Sequence, residues 1–350
     1  MRVLVTGQHG YIGSVLAPYL AEAGHEVTGL DTGFYRGCDF GADTGSIEGR
    51  IADVRDVTAD ELRGFDAIVH LAALSNDPLG DLDPSLTEHI NREGTLRVAR
   101  AAREAGIRRF VFASSCSMYG AAGTDDALNE NAPLRPLTPY AESKVRAEEG
   151  LFALAGPDFV PVSMRNATVF GVSPRLRLDI VLNNLAAWAH TTGRIRLLSD
   201  GTAWRPLVHV RDVAKTAVAL LEAPEDKIAG EAFNVGTDEQ NYLVRELAEV
   251  LAGVTGCAIE IADGSSADSR SYRVDFSKLA QTFPDLGLEW NAERGARELV
   301  DAYRSVGLTS QDFVGTRYVR LRRLLSLLDE GELDGDLRWL VSIAEPSAVA

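Results

Sequence analysis

The stretch Arg2-Val3-Leu4-Val5-Thr6-Gly7-Gln8-His9-Gly10-Tyr11-Ile12-Gly13 decides the fold. A β-prone run passes through glycines at 7, 10 and 13 into Ile12–Ala23, which has a helical pattern. Such a turn lets backbone approach a pyrophosphate, which the helix N-terminus attracts. Glycine spacing alone also occurs in turns that hold no ligand. Here a second strand-like run, Glu26–Asp31, ends on a carboxylate eighteen residues after Gly13. Asp31 can accept hydrogen bonds from a ribose diol and repels a 2′-phosphate, which favours NAD over NADP. Arg36, a little further on, is the basic residue that tempers this preference.

Outward from this stretch, β-rich runs alternate with Ala-rich helical ones. Ala67–Leu71, Phe110–Ser114 and Val160–Arg165 read as strands, and Arg92–Ala105 and Tyr140–Leu154 as helices. The alternation predicts βαβ units around a doubly wound, Rossmann-type parallel sheet, an α/β fold. Later segments, with one more buried-strand signal at Ala232–Val235, predict a smaller α/β substrate-binding domain. The expected division is 1–172 for the dinucleotide domain, with 205–238 packing back onto it. Residues 173–307 form the second domain, and 308–350 a C-terminal helical extension and tail. Asp53 and Val54 are expected beside the adenine. Leu71, Ala72 and Ala73, after His70, are expected near the cofactor phosphates, and Asn91 as a buried polar anchor or cap.

Ser115 follows the Phe110–Ser114 strand, and Tyr140 and Lys144 share one face of a helix at i and i+4. A phenol near pKa ~10 is too weakly acidic to act as a base at neutral pH. A lysine ammonium and an oxidised nicotinamide beside it would lower that value. Tyr140 could then take a proton from a sugar hydroxyl while Ser115 holds the same oxygen.

This ordered set resembles the extended short-chain dehydrogenase/reductases, specifically the nucleotide-sugar epimerase/dehydratase group, from Met1 to about Tyr303. The resemblance implies that Ser115, Tyr140 and Lys144 are catalytic and that NAD stays bound. Asn183-Asn184-Leu185 is similar to the asparagine pair that touches the diphosphate in UDP-galactose 4-epimerases. Gly201 through Val213 resembles a segment whose arginine, here Arg205, grips the substrate diphosphate. Asp268 and Tyr272 repeat an acid–tyrosine spacing near the nucleotide ribose, with Arg270 as a further phosphate candidate. Arg205 and Arg270 could instead be structural ion-pair residues, and Arg175 and Arg177 stay open.

Members of that group first oxidise a sugar carbon, usually C4. Loss of water then needs an acid and a base, and 4,6-dehydratases carry acids where this chain has Cys116 and Ser117. Their lack favours a NAD-dependent nucleotide-sugar epimerase. A dehydratase with unusual groups, a decarboxylase, a 4-ketoreductase and a non-catalytic NAD-sensing protein are the alternatives. Cys116 is either a small buried residue or a proton donor or acceptor toward the sugar. Thr168 stands where UDP-galactose 4-epimerases have an asparagine, which sets the substrate apart from theirs.

The net charge of −16 argues against nucleic acid. Three separated cysteines suggest neither a disulfide framework nor a metal site. No apolar stretch approaches the ~20 residues of a membrane span, and no secretory leader precedes the first strand. A cytoplasmic protein is expected. Family analogy predicts a homodimer through Arg92–Ala105 and Tyr140–Leu154. Arg317, Arg320, Arg322 and Arg323 mark a basic helix, Tyr318–Leu328, which is read as solvated, with a cover for the cleft or an oligomer face as the other options.

Overall fold

The computed structural model describes residues 1–41, 47–121, 126–262 and 270–340. Twelve strands are found among them. The first six are β1 (Arg2–Thr6), β2 (Glu26–Asp31), β3 (Gly49–Ile51), β4 (Ala67–His70), β5 (Arg109–Ser115) and β6 (Val160–Asn166). The others are β7 (Thr168–Phe170), β8 (Arg194–Leu197), β9 (Trp204–His209), β10 (Glu231–Val235), β11 (Asn241–Leu243) and β12 (Ala258–Ile261).

Seven strands form one parallel sheet in the order β10-β6-β5-β4-β1-β2-β3. β4 and β6 are buried along their whole length, as expected of central strands of a parallel sheet covered on both faces, and β6 buries Ser163, Arg165 and Asn166 as well as its apolar residues. Helices Gly13–Glu22 and Val210–Glu222 cover one face, where Leu16, Leu20, Val213 and Leu220 pack on Val3, Val5 and Val111. Helices Thr95–Glu104 and Pro139–Ala153 cover the other, against Leu4, Ile68, Phe110 and Phe112.

Thr6 pairs with both Leu30 and His70, so β1, β2 and β4 end level. Strand order reverses at β1, and the crevice outside those carboxyl ends is where such sheets bind ligands. The sequence expectation lacked β3. It also lacked the π-helical turn Glu88–Gly94 that precedes the fifth-strand crossover helix.

A second core gathers helices Val181–Thr192, Val244–Thr255 and Ala292–Val306 around Leu182, Leu247, Leu299 and Tyr303. Strand β9 joins β7 and β11 in a small sheet, while the helix after it and β10 return to the large one. Residues 205–238 are thus shared between the two cores. No helix among the described residues is long and apolar enough to cross a membrane.

The helix Arg320–Asp329 is not a solvated one. Leu324, Leu327, Leu333 and Leu337 bury themselves against Phe34, Leu74, Leu79 and Ile90. The helix carries apolar residues at helical spacing, so docking removes that stripe from water.

Candidate active site

A cavity of about 750 Å³ lies outside the carboxyl ends of the large sheet and continues to the second core. Its floor at one end is the first turn. Gly7 has φ +76°, and a side chain there would press on Ala72 N at 2.9 Å, so only glycine holds the two strand ends this close. The helix from Gly13 has neither a side-chain cap nor an acidic residue in its first turn. Its N-terminus is therefore suited to an anion.

Asp31 is held by two backbone amides: His9 N–H donates to Oδ2 at 3.0 Å and Gly33 N–H to Oδ1 at 2.7 Å. The carboxylate is fixed in the cavity wall with Gly10, Tyr11, Ile12, Asp53, Val54, Leu71, Ala72 and Ala73. The Tyr11 hydroxyl donates to Gly171 O at 2.7 Å and so ties this turn to the second core. Asp53 grips Arg55 at 2.7 Å and meets Arg338 of the C-terminal segment at 3.2 Å. His70 lies beneath the wall, between Thr6 (2.8 Å) and Thr95 (2.9 Å), and burial drives its pKa down to about 3. It is a neutral strut. Asn91 is a buried anchor inside the π-turn, bonding Leu74 through both its oxygen and its amide and donating to Ser143 Oγ at 3.0 Å.

Ser115 and Tyr140 both line the cavity, and the Ser115 hydroxyl is near enough to act on the Tyr140 phenol. Thr138 caps the helix on which Tyr140 sits, accepting from Ala141 N–H at 3.2 Å and donating to Asp77 at 2.7 Å. Enclosure pushes the Tyr140 phenol up to about 12, against lowering influences from Ser115 and Arg177. Lys144 does not offset this. Its Nζ donates to Ala113 O at 2.7 Å and lies 6.0 Å from the Tyr140 ring centre. Burial drives its own pKa down to about 7. Among the protein's own groups, desolvation outweighs the cation that the helical spacing brings near.

Cys116 is a correction. The strand ends at Ser115 and a 3-10 turn, Cys116–Tyr119, follows it; Ser115 and Ser117 face the cavity while Cys116 points into the core beneath it. Its thiol donates to Arg165 O at 3.0 Å, is fully buried, and has its pKa pushed up by that burial. It has no path to a sugar. Ser117 Oγ and the Oδ1 of Asn166, which pairs with Ser115 across the sheet, are enclosed, line the cavity and have no hydrogen-bond partner among the described residues.

Asn184, Arg205, Arg270, Tyr272 and Thr168 also line the wall. Asn184 donates to Leu178 O at 2.8 Å, whereas Asn183 is fully buried and braces Gly171 and Arg177. Arg205 donates to the Trp204 and Arg270 carbonyls, and Arg270 pairs with Asp77. Asp268 lies outside the described residues.

Arg177 and Asp179, left open or unseen in the sequence, face the cavity as a buried pair at 2.9 Å. Arg177 reaches back to Ser75 at 3.2 Å, and Asp179 accepts from Asn76 at 2.8 Å. Arg175 instead pairs with Asp39.

Residues 3–236 match the model of the NAD dependent epimerase/dehydratase family. The chain belongs to this family. It is 30% identical over 301 residues to a UDP-glucose 4-epimerase of Corynebacterium glutamicum, covering 80% of this chain and 89% of the relative. A solved structure of MoeE5 in complex with UDP-glucuronic acid and NAD superposes with TM-score 0.74 at 28% identity, covering 87% and 99% of the two chains. The DesIV dTDP-glucose 4,6-dehydratase from Streptomyces venezuelae, with NAD and TYD bound, gives 0.75 at 26%, covering 87% and 97%. NAD is the cofactor of this family member, an enzyme. The residues fit it: the uncapped helix N-terminus offers a place for the diphosphate, and the amide-locked Asp31 for a ribose diol.

Proposed function

We propose that the protein is a nucleotide-sugar 4-epimerase, with UDP-sugars the first substrates to try. The observation that carries this reading is the set of groups around the Ser115–Tyr140 pair. Ser117, Asn166 and Thr168 offer hydroxyls and an amide, and the carboxylates at this part of the wall, Asp77 and Asp179, are engaged by Arg270 and Arg177. Elimination of water needs a free acid and base poised on adjacent carbons. Epimerisation needs only one hydroxyl to lose and regain its proton.

In this reading Tyr140 takes the proton from the sugar C4 hydroxyl and later returns it, and Ser115 holds that oxygen. Lys144, protonated, supplies the positive charge that favours the phenolate. NAD, held at the turn of residues 7–13 and Asp31, would supply a reversible hydride acceptor for this chemistry. The enclosed polar atoms of Ser117 and Asn166 orient neighbouring sugar hydroxyls, and the ketone turns over between the two hydride transfers. Asn184, Arg205 and Arg270 hold the nucleotide diphosphate, guanidinium forks being suited to phosphate oxygens, and Asp268 and Tyr272 the nucleotide ribose.

The reading assigns 1–172 to the cofactor and 173–307 to the nucleotide sugar. It also makes the enzyme a cytoplasmic homodimer built on helices Thr95–Glu104 and Pro139–Ala153.

Incubation with a panel of UDP-, dTDP- and GDP-sugars in heavy water tests it. A C4 epimer free of deuterium at every sugar carbon is expected. Deuterium at C3 or C5, or a product lacking a hydroxyl, overturns the epimerase in favour of enolisation or dehydration.

A further inference from the structure

The C-terminal segment brings a cation into the cavity that neither the family match nor the sequence motifs assign. Arg320, at the start of the last helix, is 1% exposed and lines the cavity wall. Its guanidinium carbon lies over the Tyr35 ring, 3.9 Å from the centre, and Nη2 donates to Arg175 O at 2.8 Å. Nη1 is enclosed and has no hydrogen-bond partner among the described residues. The carboxylate that acts on Arg320 is Asp179, which Arg177 and Asn76 already engage. Asp179 acts on both buried guanidiniums, and among the described residues it is ion-paired with Arg177. A buried charge without compensation costs several kcal/mol, so this part of the wall is built for an anion.

Position says which anion. Tyr35 follows Asp31 by four residues, on the loop that leaves the ribose site. Arg177 feels Tyr140 at the other end. Between a ribose at Asp31 and a nicotinamide at Tyr140 a dinucleotide must lay its diphosphate. The candidate cations for the substrate's diphosphate, Arg205 and Arg270, are engaged elsewhere on the wall, Arg205 with the Arg270 carbonyl and Arg270 with Asp77.

We propose that Arg320 is a cofactor-binding residue that contacts the NAD diphosphate, and that the segment bearing it closes over the adenosine half. The segment is tied down on the loops around that half. Trp339 Nε1 donates to Thr32 O at 2.7 Å and its ring lies 6.0 Å from Phe34. Arg323 donates to Phe34 O at 3.3 Å, Arg338 meets Asp53 at 3.2 Å, and Arg55 donates to Asp336 O at 2.8 Å. A cofactor under such a strap leaves only when the strap lifts. This inference rests on NAD binding and not on the 4-epimerase reading, so it stands or falls independently of the sugar chemistry.

The test titrates apoprotein with ADP-ribose, adenosine and UDP by calorimetry, in the wild type and in R320M, R320Q and R320K. Circular dichroism and urea unfolding check the fold. A charge-assisted contact predicts that R320M and R320Q loosen ADP-ribose about ten- to a hundred-fold, while adenosine and UDP stay within about twofold. R320K recovers a good part of the loss, and the neutral variants release NAD faster from the loaded enzyme. Unchanged ADP-ribose affinity overturns the proposal, as does an equal loss for adenosine, which marks a packing role. A loss confined to UDP overturns it in favour of the substrate. Where the neutral variants do not fold, amide exchange on the wild type decides. ADP-ribose should slow exchange in 320–329 and adenosine should not, and equal effects of the two overturn the proposal.

Discussion

Replacing Lys144 by Met should abolish turnover and stabilise the apoprotein at the same time. The side chain is 3% exposed, and burial lowers its pKa from 10.5 to about 7. At about 1.4 kcal/mol per pKa unit this corresponds to a cost of roughly 5 kcal/mol for burying the ammonium. The sign follows from linkage. Between pH 7 and 10.5 the unfolded chain holds the proton and the folded one loses it, so stability rises with pH through that window. Below pH 7 both states are charged and the cost is constant. Lys144→Met removes the cost and forfeits the bond to Ala113 O, worth about 1–2 kcal/mol as a hydrogen bond to a charged group. A net gain of about 2–4 kcal/mol at pH 7 remains, shrinking to nothing or reversing near pH 10. Turnover should fall by about 10²–10⁴, the usual loss when acid–base machinery is disabled. Urea midpoints of both apoproteins across pH 6–10, with initial rates on the loaded enzymes, provide the measurement. A variant less stable than wild type at pH 7, with a difference that does not change with pH, would refute the reasoning.

Four further outcomes are expected. His70, neutral with a pKa lowered from 6.5 to about 3, should cost up to about 1.4 kcal/mol per pH unit as the pH falls through that window; His70→Gln should flatten the acid limb of the urea midpoint. Cys116→Ala should leave kcat within a few-fold, and a thiol reagent should not reach Cys116 in the folded enzyme, since the thiol is fully buried. Leu324→Ala, at a fully buried position under the strap, should destabilise by about 2–5 kcal/mol and speed NAD release, read by fluorescence of the reduced cofactor. Asp31→Ala should weaken NAD about tenfold or more through loss of a charged hydrogen-bond acceptor and narrow the preference over NADP, read from the two binding constants.

What the sequence made legible was local. The first strand, glycine turn and helix declare themselves because a close turn tolerates nothing but glycine at position 7. The Tyr140–Lys144 pairing needs only helical geometry. The 3-10 turn after Ser115 is what sets Cys116 away from the cavity and Ser117 into it, and strand alternation does not extend to it. Arg177 and Asp179 carried no local sign, because what places them is contact with Ser75 and Asn76, about a hundred residues earlier. The apolar stripe of the last helix was visible as Leu321, Leu324 and Leu328. Its seat on Phe34, Leu79 and Ile90 is long-range packing, which no window along the chain contains. Among the protein's own groups the Tyr140 phenol is raised by desolvation, which the whole fold sets, whereas the proximity of a cation is local; the lowering expected from Lys144 together with an oxidised nicotinamide belongs to the loaded enzyme.

The most direct test of the central claim follows a label placed on the reacting carbon. A UDP-sugar carrying deuterium at C4 is incubated with the enzyme, and the product is read by proton NMR and mass spectrometry. Hydride transfer through the Ser115–Tyr140 site predicts a C4 epimer that keeps its deuterium at C4, and no product from Tyr140→Phe with NAD still bound. Loss of the label to solvent, or an epimer formed at undiminished rate by Tyr140→Phe, would contradict it.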